Sequence, residues 1–170
     1  MSYERFKKAL VLAEKCVGYE IGEGVVDKII DTAQEKLGLF FSRQFCEYLK
    51  RFSYMEFFGI EIYGIIKDDF SGIPEGNIVE STIDSRKKYN LPISWIPIYN
   101  YGYGPKAYLD YSHLNIEDEP RVVMATYIGN EYAINEVIAE DFGDFLLQLI
   151  EEQLGDTELP PALNRNNLKK

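Results

Sequence analysis

The stretch that decides the fold is WIPIYNYGYGPKAYLDYSHLNIEDEPRVVMATY, residues 95–127. Three runs rich in β-branched and aromatic residues, 95–99, 107–111 and 121–127, are separated by the glycine-rich YNYGYGPK and the acidic HLNIEDEP. Strand runs with turn residues about every ten positions predict an antiparallel meander rather than parallel strands joined by crossover helices. A short strand or turn is expected after it at 134–137. Before it, FFGIEIYGII at 57–66, with Glu61 and Tyr63 on alternate positions, predicts the first strand of the sheet.

Helical spacing surrounds these strands. Phe6, Leu10, Ala13 and Val17 share one face of a first helix that Gly18 and Gly22 break. Val26, Ile29, Ile30, Ala33 and Leu37 predict a second over 24–37, with Gly38 placed for a left-handed C-terminal cap. Ser42 is the expected N-cap of a third helix, with Phe41 packing on Cys46 as a hydrophobic staple and Phe45, Leu49 and Phe52 as its buried stripe. Asn77 with Glu80 opens a fourth helix that Pro92 ends. A last helix is expected over 139–154, with Phe142, Phe145, Leu146, Leu149 and Ile150 inside and Glu140, Asp141, Asp144, Glu151 and Glu152 outside.

A chain of 170 residues has room for one domain, and about 150 residues bury roughly two-thirds of their unfolded surface without disulfide or metal support. The expected domain spans 1–154, followed by an extended tail at 155–170 that carries two prolines and no apolar period. Cys16 and Cys46 lie far apart among apolar neighbours, in neither a C-x-x-C pair nor a dense framework, and read as reduced core residues. The first 15 residues mix charge with apolar side chains, unlike a signal peptide, and no apolar run approaches the ~20 residues that span a bilayer. The expected location is cytoplasmic.

The formal net charge of -10 disfavours nucleic acid or an anionic membrane as the main partner and suits a basic protein. It is unevenly placed: residues 111–160 hold 12 acids and one base, whereas 1–110 hold 16 acids and 14 bases. That segment is either solubilising surface or an interaction face.

Chemical signatures are few. The sequence has no G-x-S-x-G elbow, no G-x-x-x-x-G-K-[ST] phosphate loop and no H-E-x-x-H zinc helix. His113 is the sole histidine, and a dyad with either cysteine is disfavoured because both thiols sit on apolar helix faces. A small hydrolase using His113 with Asp110 is the enzymatic alternative. Asp68 with Asp69, and the cluster Glu117, Asp118 and Glu119, lack the spacing of a calcium loop and read as solvated turns. No catalytic residue, cofactor or metal site is expected. The most unusual sequence is Tyr99-Asn100-Tyr101-Gly102-Tyr103-Gly104-Pro105, which reads either as a wide hairpin turn or as a recognition loop, since tyrosine offers large contact area at low rotamer cost. Base stacking is disfavoured by the missing basic groove.

The order of several short motifs resembles the SUKH superfamily of bacterial immunity proteins, which also includes fungal cell-wall regulators and Bacillus proteins of the YobK type. AQEKLG at 33–38 leads into a helix with Phe45, Tyr48 and Leu49. Strand runs then follow at 95–98, at Ala107-Tyr108-Leu109-Asp110 and at Pro120-Arg121-Val122-Val123, and AEDFGDFL at 139–146 looks like the closing helix. The likeness covers about 23–154. Two departures are Phe40-Phe41, where the family has Leu-Pro, and Ser53-Tyr54, where it has Asn-Gly.

The resemblance implies an α+β domain with a largely antiparallel sheet and flanking helices. It further implies a non-catalytic immunity protein that binds and neutralises a cognate polymorphic toxin, often a nuclease. Acidic residues would steer toward the toxin's basic surface and tyrosines would anchor it, giving Tyr101, Tyr103, Asp110, Glu117, Asp118 and Glu119 as the expected partner-binding residues of an acidic and tyrosine-rich surface, with the question of whether the tyrosine loop and the acidic segment share one face left to the structure. The alternative is a regulatory adaptor for a cellular protein, as in the fungal relatives.

Overall fold

The computed structural model describes residues 2–67, 70 and 75–156. The Asp68 and Asp69 pair, and the tail from 157 onward, lie outside them. The chain order is α1 (Ser2–Ala13), β1 (Glu20–Ile21), α2 (Asp27–Leu37), α3 (Arg43–Phe52), β2 (Met55–Phe57), β3 (Ile60–Ile62), α4 (Ile78–Tyr89), β4 (Trp95–Asn100), β5 (Lys106–Leu114), β6 (Pro120–Ile128), β7 (Glu131–Ala139) and α5 (Phe142–Asp156). Among the described residues these five helices and two antiparallel sheets form a single α+β domain. No helix there is long and apolar enough to cross a membrane.

The expected meander is present as a four-stranded antiparallel sheet, β4-β5-β6-β7. A three-stranded sheet, β1-β2-β3, is tied to it where the Tyr63 N–H donates to the Ile98 carbonyl at 2.9 Å. Three readings of the sequence are corrected. Residues 57–66 are not one strand: Phe57 pairs with Ile60, and Phe58 (φ 52) and Gly59 (φ 74) turn the chain between β2 and β3. Positive φ at both turn residues matches the twist of the paired strands, and an apolar phenylalanine in that turn hid it from a pattern search. At 131–139 a full nine-residue strand replaces the short strand or turn expected at 134–137. Its register slips twice against β6, which destroys the period-two alternation that marks a strand. The last helix starts at Phe142 rather than at 139 and continues through Gly155 and Asp156, two residues into the expected tail.

Helix ends follow the sequence more closely. Gly38 caps α2 in the left-handed conformation (φ 64), and the Asn77 side chain accepts the Val79 N–H at the start of α4. Phe41 sets its ring edge-on to Phe45, 5.5 Å between centroids, while the Cys46 thiol turns to the Phe41 carbonyl. Cys16 is buried and Cys46 half-buried, both are free, and burial pushes both thiols up from the ordinary cysteine value.

Most apolar side chains enter one core, in which Phe6, Phe45, Tyr48 and Phe142 pack ring against ring. A smaller cluster of Leu91, Trp95, Tyr108, Val123 and Ala125 fills the other face of the sheet. In the main core α1 lies so close to α5 that a Cβ on Gly143 would stand 2.5 Å from the Phe6 Cβ and 2.7 Å from its Cα. Backbone cannot yield there as a flexible side chain does. Gly143→Ala is therefore expected to lose about 1–3 kcal/mol of stability, read as a lower urea midpoint with an unchanged slope. An unchanged midpoint would show that the two helices can separate without cost.

Candidate functional site

The meander decides what the six sequence candidates can do together. The tyrosine loop joins β4 to β5 and the acidic loop joins β5 to β6, so they occupy opposite ends of β5. Nine residues at a rise of ~3.3 Å separate them by about 25 Å. Strand order therefore places Tyr101 and Tyr103 at one end of β5 and Glu117, Asp118 and Glu119 at the other.

The acidic loop is a tight turn built around Asn115. Its side-chain oxygen accepts the N–H groups of Glu117 and Glu119, its own N–H donates to the Glu119 carbonyl, and its carbonyl accepts from Asp118. Asp118 takes a left-handed conformation (φ 59). At the outer edge Ile116 is fully exposed, beside exposed Glu117 and Asp118 and half-exposed Leu114. A groove of about 1000 Å³ runs under this turn, lined by Arg5, His113, Leu114, Ile116, Val137 and Glu140 among others. Ile116 is the residue that sequence reading missed: one apolar side chain inside an acidic turn is a weak signal until its exposure is seen.

Glu119 and Asp110, expected as steering groups, are 2% and 1% exposed. The Glu119 carboxylate accepts the Gln44 N–H at 3.0 Å, in the first turn of α3, while the expected cap Ser42 makes no side-chain capping bond. The Ser42 N–H donates instead to the Tyr111 hydroxyl at 3.0 Å. Asp110 takes two charge-assisted bonds from Arg121, both 2.8 Å, and bonds from the Ser112 N–H and hydroxyl. Burial alone would raise the Asp110 carboxyl, but these donors outweigh it and hold it below the usual range. Both acids act inward, holding the loop and strand that present the turn.

Gln44, a polar residue at 1% exposure, extends this bracing. Its side-chain oxygen accepts the Gly143 N–H at 2.7 Å and its nitrogen donates to Ser2 Oγ at 2.6 Å. The N-termini of α1, α3 and α5 thus meet at one corner. Asp141 caps α5 by accepting the Asp144 N–H, and Asp144 reaches back to the Glu140 N–H while pairing with Arg5 at 2.7 Å. Asp141 and Asp144 were expected on the outer face of the last helix; both are buried. Part of the acidic segment therefore neutralises helix dipoles rather than facing a partner.

At the far end, the rings of Phe145, Tyr99, Tyr101 and Tyr103 form a ladder, with successive centroids 6.3, 4.7 and 6.0 Å apart. It runs from the core to solvent, where Tyr103 is 75% exposed. Burial first, then Tyr99, Tyr103, Glu152 and Glu136, push the Tyr101 hydroxyl up to about 12.

His113 does touch Asp110 and Ser112, at 3.3 and 2.9 Å, but both contacts fall on the same ring nitrogen, Nδ1. A relay needs base and nucleophile on opposite nitrogens of the ring. Among the described residues no group of three or more His, Cys, Asp or Glu side chains is placed to hold a metal.

Burial raises the Glu119 carboxyl above its ordinary value, partly offset by Ser42 and Gln44. A folded value above the unfolded one favours the protonated folded form, so this contribution is fully present at low pH and is lost as pH rises through the folded value. The stability of wild type relative to Glu119→Gln should accordingly fall as pH rises from the unfolded value of about 4.3 through the raised folded value. Glu119→Ala, which leaves the Gln44 N–H without its acceptor, should cost about 1–2 kcal/mol. Urea titrations of all three proteins across that range check both, and a pH-independent difference would mean that Glu119 is solvated.

Comparison with known proteins agrees with this architecture. Residues 13–151 match the family model SUKH_5, described as SMI1-KNR4 cell-wall, whereas a comparison with curated proteins found no match. Only α1 lies almost wholly outside the matched span. With more than three-quarters of its length matched, the chain belongs to the SUKH family.

Proposed function

We propose that this protein is an immunity protein that binds a toxin domain and neutralises it by occupying the toxin's basic surface, without catalysis of its own. The observation that carries the proposal is Ile116, a fully exposed isoleucine on a turn fixed by its own hydrogen bonds and flanked by two exposed carboxylates. An apolar anchor held rigidly pays little ordering entropy on binding, and the surrounding acids favour encounter with a cationic partner such as a nuclease. The groove below supplies further shape, with Leu114 and Val137 on its walls and Glu140 at its rim. In this reading Glu117 and Asp118 are contact residues, whereas Asp110 and Glu119 hold the turn in place.

Family membership supports a protein partner, because the SUKH fold includes immunity proteins. A regulatory adaptor is the second reading, favoured by the cell-wall description of the matched family model. A toxin gene beside this one would favour the immunity reading, and a lone locus would favour the adaptor.

Co-expression with a toxin encoded next to this gene tests the proposal. The wild type should co-purify with that toxin and protect cells from it. Ile116→Asp should weaken binding by at least about tenfold, the 1.4 kcal/mol or more that an interface anchor supplies. Reversing Glu117 and Asp118 to lysine should slow association and flatten its salt dependence. Failure of the wild type to protect contradicts the immunity reading; full protection by Ile116→Asp contradicts the assigned face.

A further inference from the structure

The tyrosine loop lies about 25 Å, the length of β5 at ~3.3 Å per residue, from the turn assigned above, and the neutralisation reading leaves it unused. It is nevertheless built with care. The Asn100 side chain accepts the Gly102 N–H at 2.9 Å and donates to Glu75 at 2.6 Å, and Glu75 is held in turn by the Tyr63 hydroxyl at 3.2 Å. The Tyr101 N–H closes the loop onto the Pro105 carbonyl. Each ring is braced by the one before it, back to buried Phe145. Gly102 and Gly104 have open space where a Cβ would stand, so the loop's outer side is unobstructed.

The carboxylates that act on the Tyr101 hydroxyl are Glu136 and Glu152. Glu136 of β7 sits in the cross-strand row with Met124, Ala107 and Tyr99, and Glu152 lies two helical turns beyond Phe145 on α5. Both are exposed and within electrostatic reach of the Tyr101 hydroxyl. The cation nearest the loop, Lys106, acts on Glu75. The protein's described cation–π contacts engage Tyr3, Phe52 and Phe70, so none of them uses the face of a ladder tyrosine.

We infer that the ladder of Tyr99, Tyr101 and Tyr103, with Glu136 and Glu152 beside it, receives an arginine side chain from a basic protein partner. Ring faces attract a cation through their quadrupole, and adjacent carboxylates strengthen that attraction. Arginine fits better than lysine because its planar, weakly hydrated guanidinium stacks on a ring while its N–H groups reach a carboxylate. A nucleobase could stack on the same rings, but its phosphates would meet Glu136 and Glu152, and the neighbouring cation Lys106 already acts on Glu75. The inference does not rest on the toxin or on the 115–118 turn.

The test uses the whole protein, isotope-labelled, titrated with a blocked pentapeptide carrying two arginines and with its citrulline counterpart, while amide resonances are followed. The arginine peptide should shift the Gly102 and Gly104 amides saturably and less at high salt, and the citrulline peptide should not. Tyr103→Ala, at a side chain exposed enough to leave the fold intact, should weaken binding about threefold or more, as should Glu152→Gln. Equal shifts from both peptides, indifference to the two variants, or a single-stranded oligonucleotide that shifts these amides in place of the arginine peptide would each overturn the inference. No toxin is involved, so a negative result here leaves the immunity proposal standing, and the reverse holds.

Discussion

One carboxylate, that of Glu119, holds the construction together at its busiest corner. It reaches from the β5–β6 turn to the first turn of α3, 75 residues away in sequence, and accepts the Gln44 N–H where the helix dipole is positive. The side chain of Gln44 then joins the starts of α1 and α5. Three helix N-termini with unsatisfied N–H groups cannot be packed together unless acceptors are supplied. Glu119 supplies one to α3, Gln44 and Asp141 supply them to α5, Asp144 takes the Glu140 N–H just before α5, and α1 is tied in by the Gln44 side chain donating to Ser2 Oγ. The same turn that sends Glu119 inward sends Ile116, Glu117 and Asp118 outward, which makes the outer shape of the loop a consequence of its inner bond.

The meander was legible because its strands alternate glycine-rich or acidic turns with β-branched runs, a local pattern. Helix boundaries at Gly38 and Asn77 were legible for the same reason, since each cap is fixed by its own residue type. What escaped depends on contacts remote in sequence. The turn at Phe58 and Gly59 carries an aromatic where a polar residue is usual, and the two register slips of β7 erase its period. Ser42 sits at the expected N-cap, yet the capping oxygen comes from residue 119, which no local pattern can reveal.

The acidity of residues 111–160 shows the same division. Counted along the chain it resembles one charged face. In three dimensions Glu119, Asp141 and Asp144 are buried and committed to helix ends, Glu117 and Asp118 cap a turn at one end of the sheet, and Glu136 and Glu152 flank tyrosines toward the other. A charge count measures none of this, because spacing in sequence says little about which side of a strand or helix a carboxylate faces. The site that emerges is smaller than the charged segment and is centred on an apolar residue.

One loop is therefore held to do two jobs, bracing helices from within and binding a partner from without. Hydrogen exchange of the protein alone and saturated with the toxin proposed as its partner tests that division most directly. Protection gained over 114–118, with the hydrogen-bonded Gln44 and Gly143 amides little changed, is the result the two roles require. Protection confined to α4 and the outer face of β6 and β7, with 114–118 exchanging as in the free protein, would contradict them.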